Sequence, residues 1–159
     1  MTIRFAKNTK QDSDLVFFLS NDPLVRSCSF NTNTIECEQH CKWFAKTLAD
    51  RNTLFFLVFE DNDFVGQIRF NRESERAVEC MISLSIAEQF RGKHLAKEFL
   101  ELGIGEMRKN WHNIRTVVAE VKGENASSNA IFRKEGFELI SQINIYKLSV
   151  SPNMINGGG

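Results

Sequence analysis

Apolar and polar residues alternate along Thr2-Ile3-Arg4-Phe5-Ala6, the period-two pattern of a short strand. Between residues 12 and 20 the spacing of Leu15, Phe18 and Leu19 becomes helical. Asn21-Asp22-Pro23 ends that helix, because Pro23 lacks an amide hydrogen and restricts the residue before it. A second helix is expected over 35–50, with Asn33-Thr34 as its cap. Its apolar positions Cys37, Cys41, Phe44 and Leu48 follow a core stripe, which predicts both cysteines inside. Residues 53–60 and 64–71 are rich in aromatic and β-branched side chains and flank the turn-forming Asp61-Asn62-Asp63, which reads as a hairpin.

After the polar residues 72–75, a third strand is predicted over 77–86 and a long helix over 92–110, with Leu95, Phe99 and Leu102 on one face. Gly103 and Gly105 are poor helix formers, explained here by close packing. Residues 115–121 read as a buried strand, 127–134 as a short helix, and 137–140 and 144–150 as two further strands. The tail 151–159, ending in three glycines, has nothing to bury and is expected to be disordered. The order β-α-α-β-β-β-α-β-α-β-β specifies an α/β fold, a mixed sheet with helices on its faces. No repeat or linker divides it, so residues 1–150 are expected to form one domain.

Composition narrows the partners. Twenty basic residues balance twenty acidic ones, leaving no global field to attract nucleic acid or an anionic membrane. No apolar run approaches the ~20 residues needed to span a bilayer, and the first residues lack the form of a signal peptide, which points to the cytoplasm. The four cysteines are few and irregularly spaced, and are expected as thiols. Because Cys37 and Cys41 fit the core stripe, Cys37-x-x-His40-Cys41 is not taken as a metal site, and no metal is expected.

The candidate chemistry begins at residues 83–100, where a strand pattern passes through Arg91-Gly92-Lys93 into a helix. Unpaired amides at a helix start, the helix dipole and two cations suit a phosphate. The chain has neither G-x-x-x-x-G-K-[ST] nor G-x-G-x-x-G, which disfavours nucleoside triphosphatases and dinucleotide folds. Residues 91–96, R-G-K-H-L-A, instead resemble the acyl-CoA pyrophosphate loop [QR]-x-x-G-x-[GA] of the GNAT acetyltransferases, with His94 where the family usually has glycine. Residues 125–137, N-A-S-S-N-A-I-F-R-K-E-G-F, resemble that family's second motif, N-x-x-[AS]-x-x-x-[YF]-x-x-x-G-F.

The resemblance covers about residues 2–150 and implies a central sheet of about seven strands with about four helices and two splayed parallel strands, here 77–86 and 115–121. It implies acetyl-CoA as co-substrate, with the pantetheine arm on the backbone of Leu84, Ser85 and Ile86. The pyrophosphate would lie on Arg91, Gly92, Lys93, His94, Leu95 and Ala96, and the second motif would contribute Asn125 and Phe132. For catalysis, Glu79 is the candidate base, and an amide near Ser85 or Ile86 the oxyanion donor. Many relatives carry tyrosine where this chain has Phe132, so Tyr146, the one tyrosine present, is a candidate acid for the leaving thiolate, with solvent as the alternative.

The acceptor side of the superfamily comes from its first two helices. Asn21-Asp22-Pro23-x-Val25-Arg26, Ser29-Phe30, His40-x-x-Trp43-Phe44 and Gly66-Gln67-Ile68-Arg69-Phe70-Asn71 resemble the nucleotide-aminosugar N-acetyltransferases of pseudaminic acid type and the neighbouring ribosomal-protein N-terminal acetyltransferases. That implies a small-molecule amine, a nucleotide sugar, as partner. Trp43 would stack on a ring and Arg26 and Arg69 would pair with a diphosphate, with Phe30 and His40 beside them. A protein N-terminus, a small amine, or an acyl-CoA-binding module without turnover are the alternatives, and the expected state is a monomer or homodimer.

Overall fold

The computed structural model describes residues 1–140 and 145–150. Its elements are β1 (Thr2–Phe5), α1 (Lys10–Ser20), α2 (Pro23–Cys28), α3 (Cys37–Ala49), β2 (Thr53–Glu60), β3 (Asp63–Asn71), β4 (Glu79–Ile86), α4 (Ala96–Asn110), β5 (Thr116–Glu120), α5 (Ala126–Lys134), β6 (Glu138–Leu139) and β7 (Ile145–Ser149). The strands form a seven-stranded sheet in the order β1-β2-β3-β4-β5-β7-β6. Neighbours run antiparallel except β4 and β5, which are parallel. The expected α/β fold with a mixed sheet is the one observed.

Strand β2 explains why its run of apolar residues is unbroken. Phe55 and Leu57 point to one side and pack with Val16 of α1 and Phe44 of α3. Leu54, Phe56 and Val58 point to the other side and pack with Phe99, Leu100 and Met107 of α4. A strand covered on both faces has no solvent side to require polar alternation.

Several expectations are corrected. Pro23 does stop α1, but it also stands at the first turn of α2, where a missing amide hydrogen costs nothing; the described residues thus hold five α-helices, not about four. Leu19 is buried as expected, but Phe18 is exposed, and α1 also buries Val16 with the polar Asp12, Ser13 and Ser20. Asp12 turns inward because Arg4 grips both its carboxylate oxygens, at 2.7 and 2.8 Å. Cys37 and Cys41 are exposed, since α3 is rotated to bury His40 and Phe44. Helix α4 begins at Ala96 rather than 92, because Gly92 (φ +71°) and His94 (φ +58°) are left-handed and interrupt any helix through them.

Of the two helical glycines, Gly103 packs closely, since a Cβ there would lie 2.3 Å from Cδ1 of Ile68, whereas Gly105 has no such neighbour. The strand predicted at 137–140 shortens to β6. The tail 151–159 and the start of the strand predicted at 144–150 lie outside the described residues.

Candidate active site

β4 and β5 pair only through Glu79–Thr116, Cys80–Val117 and Met81–Val118. Beyond that point β4 continues to Ile86 along β3, and β5 continues to Glu120 along β7, so the two parallel strands separate. Their facing backbone groups lose strand partners and become available to a ligand. A cavity of about 940 Å³ opens in this gap. It is walled by residues 82–86 of β4 and by 119–121 at the end of β5 and just past it, and extends to α2, α3, β3, the start of α4 and α5.

On the β4 side, Arg91, Gly92, His94, Leu95 and Ala96 line the cavity together with Lys97, while Lys93 stands off it with its Nζ 5.3 Å from the Phe90 ring centre. The first amide of α4 to bond within the helix is that of Phe99, to Leu95 O at 2.9 Å. Unlike α1, α2 and α5, α4 has no side-chain cap. The amides of residues 96–98 therefore keep free hydrogens where the dipole is positive, which suits a pyrophosphate. Arg91 does not face such a ligand: Nε donates to Ile86 O at 2.9 Å, and one terminal nitrogen lies 3.0 Å from Asp22 Oδ1.

Asp22 also caps α2, accepting from the amides of Leu24 and Val25 at 3.0 and 3.2 Å. Burial pushes its carboxyl pKa up, but the Val25 amide and Arg91 outweigh it and hold the group below its ordinary value. On the opposite side of α2, Lys122 in the β5–α5 loop donates to Ser27 O at 3.3 Å. The short helix is thus fastened to both lips of the gap.

The wall formed by α2, α3 and β3 carries Arg26, Phe30, His40, Trp43, Gln67 and Arg69. Arg26 is fully engaged: Nε donates to Ser20 O at 2.5 Å, and its terminal nitrogens to Asn31 O, Asn33 O and Ser29 Oγ. It shapes the loop after α2, and burial lowers its pKa. Arg69 is different. Its Nε donates to Asn71 Oδ1 at 3.2 Å, and its guanidinium carbon lies 5.0 Å from the Trp43 ring centre and 5.7 Å from that of Phe55. Among the described residues, its terminal nitrogens have no hydrogen-bond partner and no carboxylate faces it. Burial lowers its pKa as well.

Trp43 is partly open at 38% exposure, and Phe30 more so at 66%. His40 is buried between the rings of Phe17, Trp43 and Phe44, with Nε2 3.0 Å from Ser13 O. Burial pushes the imidazole pKa below its ordinary value, against the Ser13 bond and Asp14, which raise it.

Two catalytic candidates fall outside the cavity. Glu79 lies at the paired end of β4, exposed, with Oε2 3.0 Å from Lys147 Nζ. Separation of the strands begins only after Met81, which leaves Glu79 on the paired stretch. Tyr146 is fully buried and pairs with Ala119, with its hydroxyl donating to Asn129 Oδ1 at 2.6 Å. Asn129 in turn donates to Lys122 O and Asn125 O, so Tyr146 anchors the β5–α5 loop. Phe132 stacks on Tyr146 and reaches the cavity wall. Asn125 also lines the cavity, with its amide engaged by the Ser128 amide and hydroxyl as the cap of α5.

Asp22, Gln67 and Asn129 were missed on sequence grounds. Gln67 could have been found, because it shares a strand face with Arg69 two residues away. Asp22 and Asn129 act through partners 69 and 17 residues distant, Arg91 and Tyr146, which no local pattern announces.

Comparisons with known proteins agree with this architecture. Residues 2–138 match the acetyltransferase (GNAT) domain. The acetyltransferase PseH of Campylobacter jejuni is 22% identical over 138 residues, covering 87% of this chain and 84% of that protein. Spermidine N-acetyltransferase from Vibrio cholerae, solved with CoA and spermine, superposes with a TM-score of 0.81 at 13% identity, covering 98% of each chain. Ribosomal-protein-alanine N-acetyltransferase from Brucella melitensis gives 0.77 at 19% identity, covering 94% of this chain and all of that one, 100%.

Proposed function

Because this chain belongs to the GNAT acetyltransferase family, we propose that it transfers acetyl from acetyl-CoA to the amino group of a nucleotide-linked aminosugar. The observation that carries the substrate class is Arg69, a cation withdrawn from water against Trp43, with terminal nitrogens free toward the cavity. Such a fork matches a diphosphate, and the adjoining indole offers a stacking face for a base or sugar ring. Similarity to the acetyltransferase PseH supports the acetyl transfer in that reading.

Acetyl-CoA brings an activated thioester, so positioning supplies much of the rate. The edge of β4 that faces away from β3 at Leu84, Ser85 and Ile86 would hold the pantetheine amides, and the free amides of residues 96–98 the pyrophosphate. An amide near Ser85 or Ile86 would stabilise the oxyanion. Glu79 is not assigned the base, nor Tyr146 the acid; solvent protonates the leaving thiolate.

Thiol release from acetyl-CoA tests this with a UDP-linked aminosugar, spermidine and peptides bearing N-terminal alanine as acceptors. Turnover of the nucleotide sugar alone is expected, since Arg26 and Arg69 repel a polyamine. Turnover confined to spermidine or to a peptide would overturn the substrate class. Binding of acetyl-CoA with no turnover on any acceptor would reduce the protein to an acyl-CoA-binding module.

A further inference from the structure

A backbone carbonyl can only accept a hydrogen bond. Ser13 O, 3.0 Å from Nε2 of His40, therefore fixes the ring proton on Nε2 and leaves Nδ1 with its lone pair. Nδ1 has no partner among the described residues, and His40 contributes to the cavity wall. In the same wall, Oε1 of Gln67 is buried without a donor, while the Nε2 of Gln67 reaches Ser20 Oγ at 3.5 Å. Gln67 stands directly across the sheet from Ser85, at the free end of β4. The acceptor side thus presents two unsatisfied lone-pair atoms, and an ammonium group is rich in the donors they lack. A buried acceptor left unpaired is unfavourable, so Oε1 of Gln67 favours a ligand with N–H groups, and Nδ1 of His40 offers such a ligand a second acceptor in the same wall.

We propose that Nδ1 of His40 is the proton acceptor for the incoming amine and that Oε1 of Gln67 orients it. The assignment rests on the reading that the acceptor amine enters along the wall of α3 and β3. One ammonium proton passes to Nδ1, and the freed nitrogen lone pair attacks the thioester carbonyl. The C–N bond forms, the C–S bond breaks, and CoA leaves as thiolate. A second proton from the nitrogen neutralises the thiolate through solvent, and the imidazolium returns its proton to water. The amine is acylated with no net oxidation or reduction.

The environment agrees with that role. Burial among Phe17, Trp43 and Phe44 holds the imidazole neutral to lower pH than in water. The charged group that bears on it is Asp14 of α1, while Arg69 of β3, beyond Trp43, and Arg26 of α2 belong to the same wall. Glu120 and Glu135, the carboxylates of the cavity wall, belong to the β5 and α5 side.

The decisive variant is His40→Gln, whose amide can still donate to Ser13 O while nothing replaces Nδ1. Its kcat/KM on the UDP-linked aminosugar should fall about 100-fold. It should lose the acid limb, which in the wild type falls below the ordinary imidazole value of about 6.5, and keep acetyl-CoA affinity. His40→Asn, which restores a polar atom near Nδ1 without a base, should be equally slow, and serves if the glutamine variant does not fold. Nitrogen NMR of the wild type loaded with CoA, which needs no acceptor, should show the proton on Nε2. A proton on Nδ1, or a His40→Gln enzyme within about threefold of wild type with its acid limb intact, would overturn the proposal. A wild type inert toward the nucleotide sugar would overturn the substrate reading, and the NMR pattern would then decide His40 by itself.

Discussion

Across the cavity, the loop before α4 meets its surroundings through main-chain amides, whereas the wall of α3 and β3 presents side chains. The contrast is sharpest in the arginines. Arg91, in the loop, turns away to Ile86 O and Asp22. Arg69, in the wall, keeps its terminal nitrogens toward the open space. Backbone recognition tolerates side-chain change, which is why His94 can occupy a left-handed position suited to glycine. Side-chain recognition does not, so the wall is where specificity for the acceptor would be set.

The largest expected effect concerns the support beneath the amide side. A Cβ on Gly66 would lie 2.2 Å from Ser85 O, a backbone atom that cannot yield without moving β4. Gly66→Ala should cost about 3 kcal/mol and lower the thermal midpoint. An unchanged midpoint would mean that β4 is free to shift and that its open end is not rigidly held.

A smaller, crossed effect separates the two walls. Arg69→Met should raise the KM of an anionic acceptor about tenfold and leave acetyl-CoA alone. Lys97→Met, at the first turn of α4, should raise the KM of acetyl-CoA about threefold and leave the acceptor alone, because an exposed charge is screened. Both parameters moving together in either variant would break the division.

The smallest effect lies in the loop itself. In His94→Gly, relief of left-handed strain and the greater chain entropy of glycine oppose each other, leaving stability within about 0.5 kcal/mol. Closer approach to the backbone should lower the KM of acetyl-CoA about twofold, with no change for the acceptor. A higher KM would show that the His94 side chain itself contributes to binding.

The same contrast governs what could be read from the chain. The loop and the segment after β5 are local, so their residue types and spacing identified the family and the mixed sheet. The wall is assembled from α1, α2, α3 and β3, whose relative rotation depends on packing. Cys37 and Cys41 illustrate this: hydrophobicity assigned them to the core, but Ser13 O draws the polar His40 inward and turns both cysteines out. Burial of a polar residue through a single distant carbonyl leaves no mark in a periodicity. Glu79 stands outside the cavity for a related reason, because a residue's place along a strand does not tell where two strands part.

Helix α2, held by Asp22 to Arg91 on one lip and by Ser27 to Lys122 on the other, has a thermodynamic corollary. The helix ties the two lips of the gap together, so a ligand that strains one hold bears on the other. Whatever factor acetyl-CoA imposes on acceptor affinity by favouring one placement of α2, the acceptor must return to acetyl-CoA in equal measure. Two dissociation constants, each measured with and without the other ligand, would therefore close a cycle whose single coupling factor reports on six residues of helix.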